Sequence, residues 1–165
     1  MVENDHIWNK LASDIEKTVE DACNRYQRLP AETIEARPDP DEWSVKEIFG
    51  HLIDSASNNH QRFVRLQIAD NLTFPDYSQD NSAWIAIQKY QEAPWNELLS
   101  MWRHYNFHLA RIIRAVNSDC VEHHWMVNKD TAISLGHLMT DYLRHLKDHL
   151  QQIEQNITIH QSPSE

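Results

Sequence analysis

Glycine is almost missing: the 165-residue chain has two. Sheet proteins need glycine at many tight turns, where positive φ is required. Its scarcity favours long helices joined by few loops. Cysteine is as rare. Cys23 and Cys120 form no metal-type spacing and read as reduced thiols of a cytoplasmic protein rather than a disulfide. No apolar run reaches the roughly 18 residues of a membrane span. Met1–His6 lacks a basic stretch leading into an apolar core, so no signal peptide is expected. Basic charge is also short, with 15 Lys and Arg against 25 Asp and Glu, a formal net charge of −10. The basic residues are scattered among acids, which argues against DNA or RNA as a partner. There is no GxSxG, no phosphate-cradling glycine loop and no HExxH.

What remains is a 41% hydrophobic chain of a length suited to one domain. We take it as a single domain over residues 1–165, with an ordered core from about 6 to 158. Four segments have helical periodicity. The first runs from about His6 to Leu29 and is stopped by Pro30; Pro38 and Pro40 mark a loop. The second begins at a capping box, Ser44-Val45-Lys46-Glu47, and ends near Asp70. The third opens at Pro94 and carries Trp95, Leu98, Leu99, Trp102, Leu109, Ile112, Ile113 and Val116 on one face. The fourth is expected from about Thr131 to Ile157, with 118–130 as a loop and His160–Glu165 as a frayed tail. Residues 71–91 form the longest connection, broken early by Pro75 and holding a short helix over 82–87. Gly50 and Gly136 both lie inside predicted helices, each costing roughly 1 kcal/mol relative to alanine, which close helix approach would explain.

Eleven histidines are a surplus. His145 and His149 are four residues apart, so they share one helical face, with Cβ atoms about 5–6 Å apart. That face carries Tyr142, Leu146 and Ile153 and points inward. Imidazoles at this spacing can reach one ion at about 2.0–2.1 Å. His137 is eight residues from His145, about 12 Å along the axis, and cannot share it. His51, on the second helix with Ile48 and Leu52, meets the pair only if helices two and four are antiparallel. Helices three and four, joined by a moderate loop, should also be antiparallel, which makes two and three parallel. The 71–91 segment is long enough for the required crossover, whereas bundle turns are about 2–8 residues. The fold expected is therefore all-α, a four-helix bundle in up-down-down-up order. His104 and His108 repeat the i, i+4 spacing on the third helix but lie one to two turns from the His51 level, and are read as solvent-facing or hydrogen-bonded.

The segments Trp43-Ser44-x-x-Glu47-x-x-x-His51-Leu52-x-Asp54 and His145-x-x-x-His149-x-x-Gln152-Ile153, with Trp84 and Tyr90 in the crossover, resemble the DinB-like superfamily, including its YfiT-type members. The resemblance covers nearly the whole chain. It implies a bundle with a metal site on His51, His145 and His149, holding zinc, nickel or another divalent transition metal. Some members resemble thiol S-transferases with a low-molecular-weight thiol as co-substrate, others are labelled hydrolases, and related bundles often pair as homodimers. Asp141 stands where some members have histidine, which leaves the substrate open.

Three neutral nitrogens leave a divalent ion its charge and an open position, the pattern of catalytic zinc. Such a site suits hydrolysis, through water of lowered pKa, or thiol transfer, through a deprotonated thiol, on a small-molecule substrate. Asp54, three residues after His51, reads either as an acceptor for an imidazole N–H or a general base, or as a surface carboxylate. Asp141 has the same two readings. Gln152 anchors the helix end or belongs to a plain polar face, and Trp43 and Trp84 are expected to pack. A non-catalytic metal-binding or stress-response bundle, and a metal-free bundle acting by protein contacts, are the competing functions.

Overall fold

The computed structural model describes residues 2–74 and 79–161, with side chains from His6 on. Among them are α1 (Val2–Tyr26), α2 (Ala31–Glu35), α3 (Val45–Ile68), α4 (Asn81–Gln88), α5 (Trp95–Arg114), β1 (His124–Asn128), β2 (Thr131–Ser134) and α6 (Leu135–Gln161). Among the described residues, no helix is long and apolar enough to cross a membrane. The four long helices enclose the core, in which Ile15, Phe49, Leu66, Trp102, Leu109, Met139 and Leu146 are completely or almost completely buried. Phe49 sets its ring edge-on to Trp102 and Trp95 at 4.9 and 5.0 Å between centroids, a favoured aromatic geometry.

Side-chain contacts give the relative levels of the helices. Between α1 and α5, Arg103 donates to Glu20 at 2.8 Å, Arg114 to Glu16 at 2.7 Å, and the Trp95 indole to the Tyr26 carbonyl at 3.1 Å. Between α3 and α5, Phe49 meets Trp102 and His60 meets Tyr105 and His108. Between the start of α3 and α6, Asn156 donates to the Trp43 carbonyl at 2.8 Å, and further along Phe63 meets Tyr142.

Element boundaries differ from the sequence expectations in places. The first helix stops at Tyr26 rather than Leu29, and Pro30 caps the short helix α2. The expected loop and the first turn of the fourth helix are a β-hairpin, with Trp125 opposite Ile133 and a bulge after Met126. Its turn needs no glycine, because the Asn128 side chain accepts from the Asp130 amide at 2.9 Å, an Asx turn. Helix α6 starts at Leu135, where the Ser134 hydroxyl accepts from the His137 amide at 3.3 Å, and runs past Ile157 to Gln161. His160 is thus helical; Pro75 and Ser162–Glu165 lie outside the described residues. The short helix expected over 82–87 is α4, whose Asp80 N-cap accepts from the Ala83 amide at 2.9 Å.

Gly50 has a sharper reason than helix approach. A Cβ there would lie 2.1 Å from Cδ2 of Tyr90, so the glycine seats the crossover's tyrosine flat on α3. At Gly136 a Cβ would lie 3.3 Å from the Trp8 ring of α1, and helix approach does apply.

Candidate metal centre

The start of α3 is fixed where the sequence placed it. The Ser44 hydroxyl accepts from the Glu47 amide at 3.2 Å, and the Glu47 carboxylate accepts from the Ser44 amide at 2.9 Å. Arg37 clasps the buried Glu47, and Lys46 donates to the Gln91 carbonyl at 2.8 Å. The cap thereby ties the loop before α3 to the end of the crossover. His51 follows two turns later and is buried. The Trp43 ring lies 5.3 Å from the His51 ring and covers it.

From α6, His145 and His149 reach the same level, both half-buried. Ring centroids are 5.5 Å apart for His51–His145, 4.7 Å for His51–His149 and 4.5 Å for His145–His149. The Nε2 atoms of His145 and His149 approach to 3.1 Å. One nitrogen from each of the three rings lies within 4.8 Å of the others. The remaining nitrogens of the α6 pair are held: His145 Nδ1 is 3.4 Å from the Ser55 hydroxyl and His149 Nδ1 is 3.0 Å from the Gln152 side-chain oxygen. His51 Nδ1 is buried with no hydrogen-bond partner.

Burial, reinforced by the two neighbouring rings, pushes the His51 imidazole down to about 4, and burial with His149 does the same to His145. Both rings are neutral near pH 7, as metal ligands must be. Three converging imidazoles, one with an orphaned buried nitrogen, form a donor set that fits a divalent transition metal. An orphaned buried polar atom otherwise costs about 1–3 kcal/mol.

Asp54 is buried beside this turn, but its bonds go elsewhere. Its Oδ1 accepts from Tyr90 at 2.7 Å and from Gln88 at 2.8 Å, and its Oδ2 is buried without a hydrogen-bond partner. Burial raises its carboxyl above the usual range despite these two donors. Asp54 therefore clamps the crossover to α3 alongside Gly50. Asp141 and Asp148 both take Arg144, at 2.7 and 2.6 Å, on the outer face of α6. His104 is exposed and its Nδ1 lies 2.7 Å from the Ser100 carbonyl of its own helix, while His137 is also exposed. Trp84 is 40% exposed and so packs less than expected. Cys23 and Cys120 are buried free thiols, Cys23 pushed up to about 11 by burial.

A cleft of about 200 Å³ opens over His51 and His145, with Ser55, Asn58, Arg62 and Asn81 among its lining residues. Sequence reasoning missed Ser55 and Arg62. The available signal was the spacing His51, Ser55, Asn58 or Asn59, Arg62, polar residues at steps of three or four in line with the candidate ligand.

No curated protein matches the chain. Among solved structures, YfiT from Bacillus subtilis, described as a probable metal-dependent hydrolase with an unusual four-helix bundle topology, superposes with a TM-score of 0.76. It is 16% identical, over 94% of this chain and 87% of that one. The fold is thus shared with that four-helix bundle. The DinB superfamily matches residues 15–153, from the middle of α1 to the buried Ile153 of α6, and this chain belongs to it.

Proposed function

We propose that this protein holds one divalent transition-metal ion on His51, His145 and His149 and is a metal-dependent hydrolase of a small molecule. The carrying observation is the convergence of three imidazole nitrogens within 4.8 Å from two helices. An all-imidazole set suits zinc, nickel, copper or iron, and zinc or nickel is the ion proposed. When bound, such an ion supplies Lewis acidity and lowers the pKa of water at its open position. The chain does the rest. Burial keeps His51 and His145 unprotonated. Ser55 and Gln152 orient the α6 rings through their spare nitrogens, as outer partners of metal-ligating histidines do. Trp43 shields one side of His51, and the cleft over His51 and His145 admits substrate from another. Hydrolysis is preferred to thiol transfer because the similar bundle from Bacillus subtilis is described as a probable hydrolase.

The up-down-down-up order belongs to the same proposal. The end of α1 meets the start of α5 at Tyr26 and Trp95 while Glu16, further back, meets Arg114 at the end of α5; early α3 meets the first half of α5, and the start of α3 meets late α6. Those levels support α1 and α6 running one way and α3 and α5 the other, which sets His51 opposite His145 and His149.

Metal analysis of untagged protein tests the first half: one equivalent is expected, and none would overturn it. A panel of esters and amides, run with and without added thiols, tests the second. Metal-dependent hydrolysis without thiol is expected. Turnover only with thiol would favour a transferase, and a loaded but inert protein would favour a non-catalytic metal binder.

A further inference from the structure

The cleft over the histidines offers hydrogen bonds but no free charge. Among the described residues lining it there is no carboxylate. The guanidinium of Arg62 is already engaged: it stacks on the Trp125 ring at 4.4 Å and donates to the Asn59 side-chain oxygen at 3.2 Å. Asn59 is engaged in turn, its amide nitrogen donating to the Ser55 carbonyl at 2.9 Å. What is left is a row of half-buried side-chain amides, Asn58, Gln79 and Asn81. We infer that these amides recognise a neutral carboxamide on the substrate, a handle set apart from the bond that reacts.

The three amides form a relay with two different ends. Asn58 Nδ2 donates to Gln79 Oε1 at 2.9 Å, and Gln79 Nε2 donates to Asn81 Oδ1 at 2.8 Å. That leaves the Asn58 oxygen to accept and the Asn81 nitrogen to donate. Turning all three amides over reverses the relay and exchanges its ends, but one donor and one acceptor remain. A carboxamide carries the complementary pair, an N–H and a C=O. A carboxylate offers acceptors alone and an ammonium donors alone. Either ion would leave one end of the relay unmatched and bring into the cleft a charge that meets no free counter-charge. Both ends of the relay stand on helices: Asn58 on α3, and Asn81 at the start of α4, whose Asp80 cap accepts from the Ala83 amide at 2.9 Å. The amides are therefore ordered before any ligand arrives.

The spacing along α3 gives the handle its place. Asn58 comes seven residues after His51, so the two share a face of the helix about 10 Å apart along its axis. The carboxamide therefore lies roughly two turns from the three imidazoles and does not itself occupy them. The substrate carries its amide at one end and its hydrolysable bond several bonds away. Recognition of the amide stands on the relay alone; only the cleavage at the far end rests on the metal site proposed above.

Hexanamide, hexanoate and hexylammonium are suitable probes, titrated into the full chain with and without one equivalent of zinc. Binding is followed by NMR at the side-chain amide protons of Asn58, Gln79 and Asn81, so that an acid sitting on the ion does not count. Hexanamide is expected to bind about tenfold tighter than either charged probe, in both metal states. Asn81→Asp keeps the acceptor that Gln79 uses but replaces the free donor with a charged acceptor, at a helix start where an acid is tolerated. It should weaken hexanamide about tenfold and make hexylammonium the preferred probe, with zinc stoichiometry and the helical circular dichroism signal intact. Should that variant fail to fold, Asn58→Asp tests the same point, because the relay then reverses and again ends in two acceptors. Equal binding of the three probes, no response to hexanamide, or an unchanged preference for hexanamide in the folded variant overturns the inference. A chain that takes up no zinc yet prefers hexanamide sinks the metal proposal and leaves the amide handle standing; a chain that holds zinc and shows no preference does the reverse.

Discussion

Two helices carry histidines four residues apart, and the pairs meet opposite fates. On α6, His145 and His149 turn their Nε2 atoms to within 3.1 Å of each other and face the buried His51 ring. On α5, the exposed His104 folds back on the Ser100 carbonyl of its own helix, and His108 meets the Arg111 guanidinium of its own helix at 3.4 Å and the His60 ring at 5.0 Å, a ring that also approaches Tyr105. The spacing is identical; the surroundings are not. An i, i+4 pair becomes a donor set when its face points at a junction where another helix delivers a third ring at the same level.

The strongest way to break this comparison is to remove rings from each side. His51→Ala, His145→Ala and His149→Ala should each lose bound metal, beyond the roughly 100-fold reached by removing an outer partner, with helix content preserved by circular dichroism. The double variant His104→Ala/His108→Ala should keep one equivalent. If the α5 double variant loses the metal and an α6 variant keeps it, the two pairs have been assigned the wrong way round.

A second difference is that the His51 turn is clamped from outside, by Tyr90 over Gly50 and onto Asp54. Gly50→Ala forces a Cβ to 2.1 Å from the Tyr90 ring and should cost about 2–3 kcal/mol in urea unfolding. Gly136→Ala meets the tip of Trp8 at 3.3 Å and the Val121 carbonyl oxygen at an ordinary 3.4 Å. There the gain in helix propensity, roughly 1 kcal/mol, offsets a small side-chain shift, and the measured change should be near zero. Equal losses at the two glycines would mean that the tyrosine clamp contributes nothing special.

Much of this was legible beforehand. The long helices announce themselves because their apolar stripes recur at 3.6 residues, and α3 because Ser44 and Glu47 form a reciprocal cap. Axial rise set aside His137, and helix levels the α5 pair, but placing His51 with His145 and His149 also took the antiparallel arrangement and the resemblance of the flanking segments to the DinB-like superfamily. The hairpin was hidden because Ile133 also fits a helical stripe and Asn128 makes the turn without glycine. The spacing of Asp54 left open a partner for His51, a general base or a surface carboxylate, and its direction was decided by Tyr90 and Gln88, 36 and 34 residues away. The cleft was hidden for the same reason: Arg62, Trp125 and Asn81 come together only through tertiary packing.

Proton competition sharpens the contrast further. In metal-free protein, His51 is held down to about 4, by burial first and by His149 and His145 next, whereas an unfolded histidine titrates near 6.5. Between those values the unfolded chain binds a proton that the folded chain refuses, so stability falls as pH drops from about 6.5 toward 4. Between pH 7.5 and 5, His51 alone should account for about 2 kcal/mol of lost stability. His51→Gln should flatten the urea-midpoint profile by that amount. A profile unchanged by His51→Gln would mean that the ring is not desolvated.

The smallest effect isolates what surrounds the rings. Ser55 and Ser100 make matching approaches to histidine: Ser55 Oγ is 3.4 Å from His145 Nδ1, and Ser100 Oγ is 3.4 Å from His104 Nδ1. If a serine beside an imidazole mattered by itself, the two would be equivalent. Ser55, however, sits on the facing helix and holds the spare nitrogen of a ring whose Nε2 faces His149, while Ser100 sits on the same helix as an exposed ring with no such task. Ser55→Ala, like Gln152→Ala, should therefore weaken metal affinity about tenfold, or about 1.4 kcal/mol, read in a competition titration with a chromophoric chelator. Ser100→Ala should leave it unchanged. An equal response of the two serines would show that the α6 rings are oriented by packing alone, with no part played by their hydrogen-bonded nitrogens.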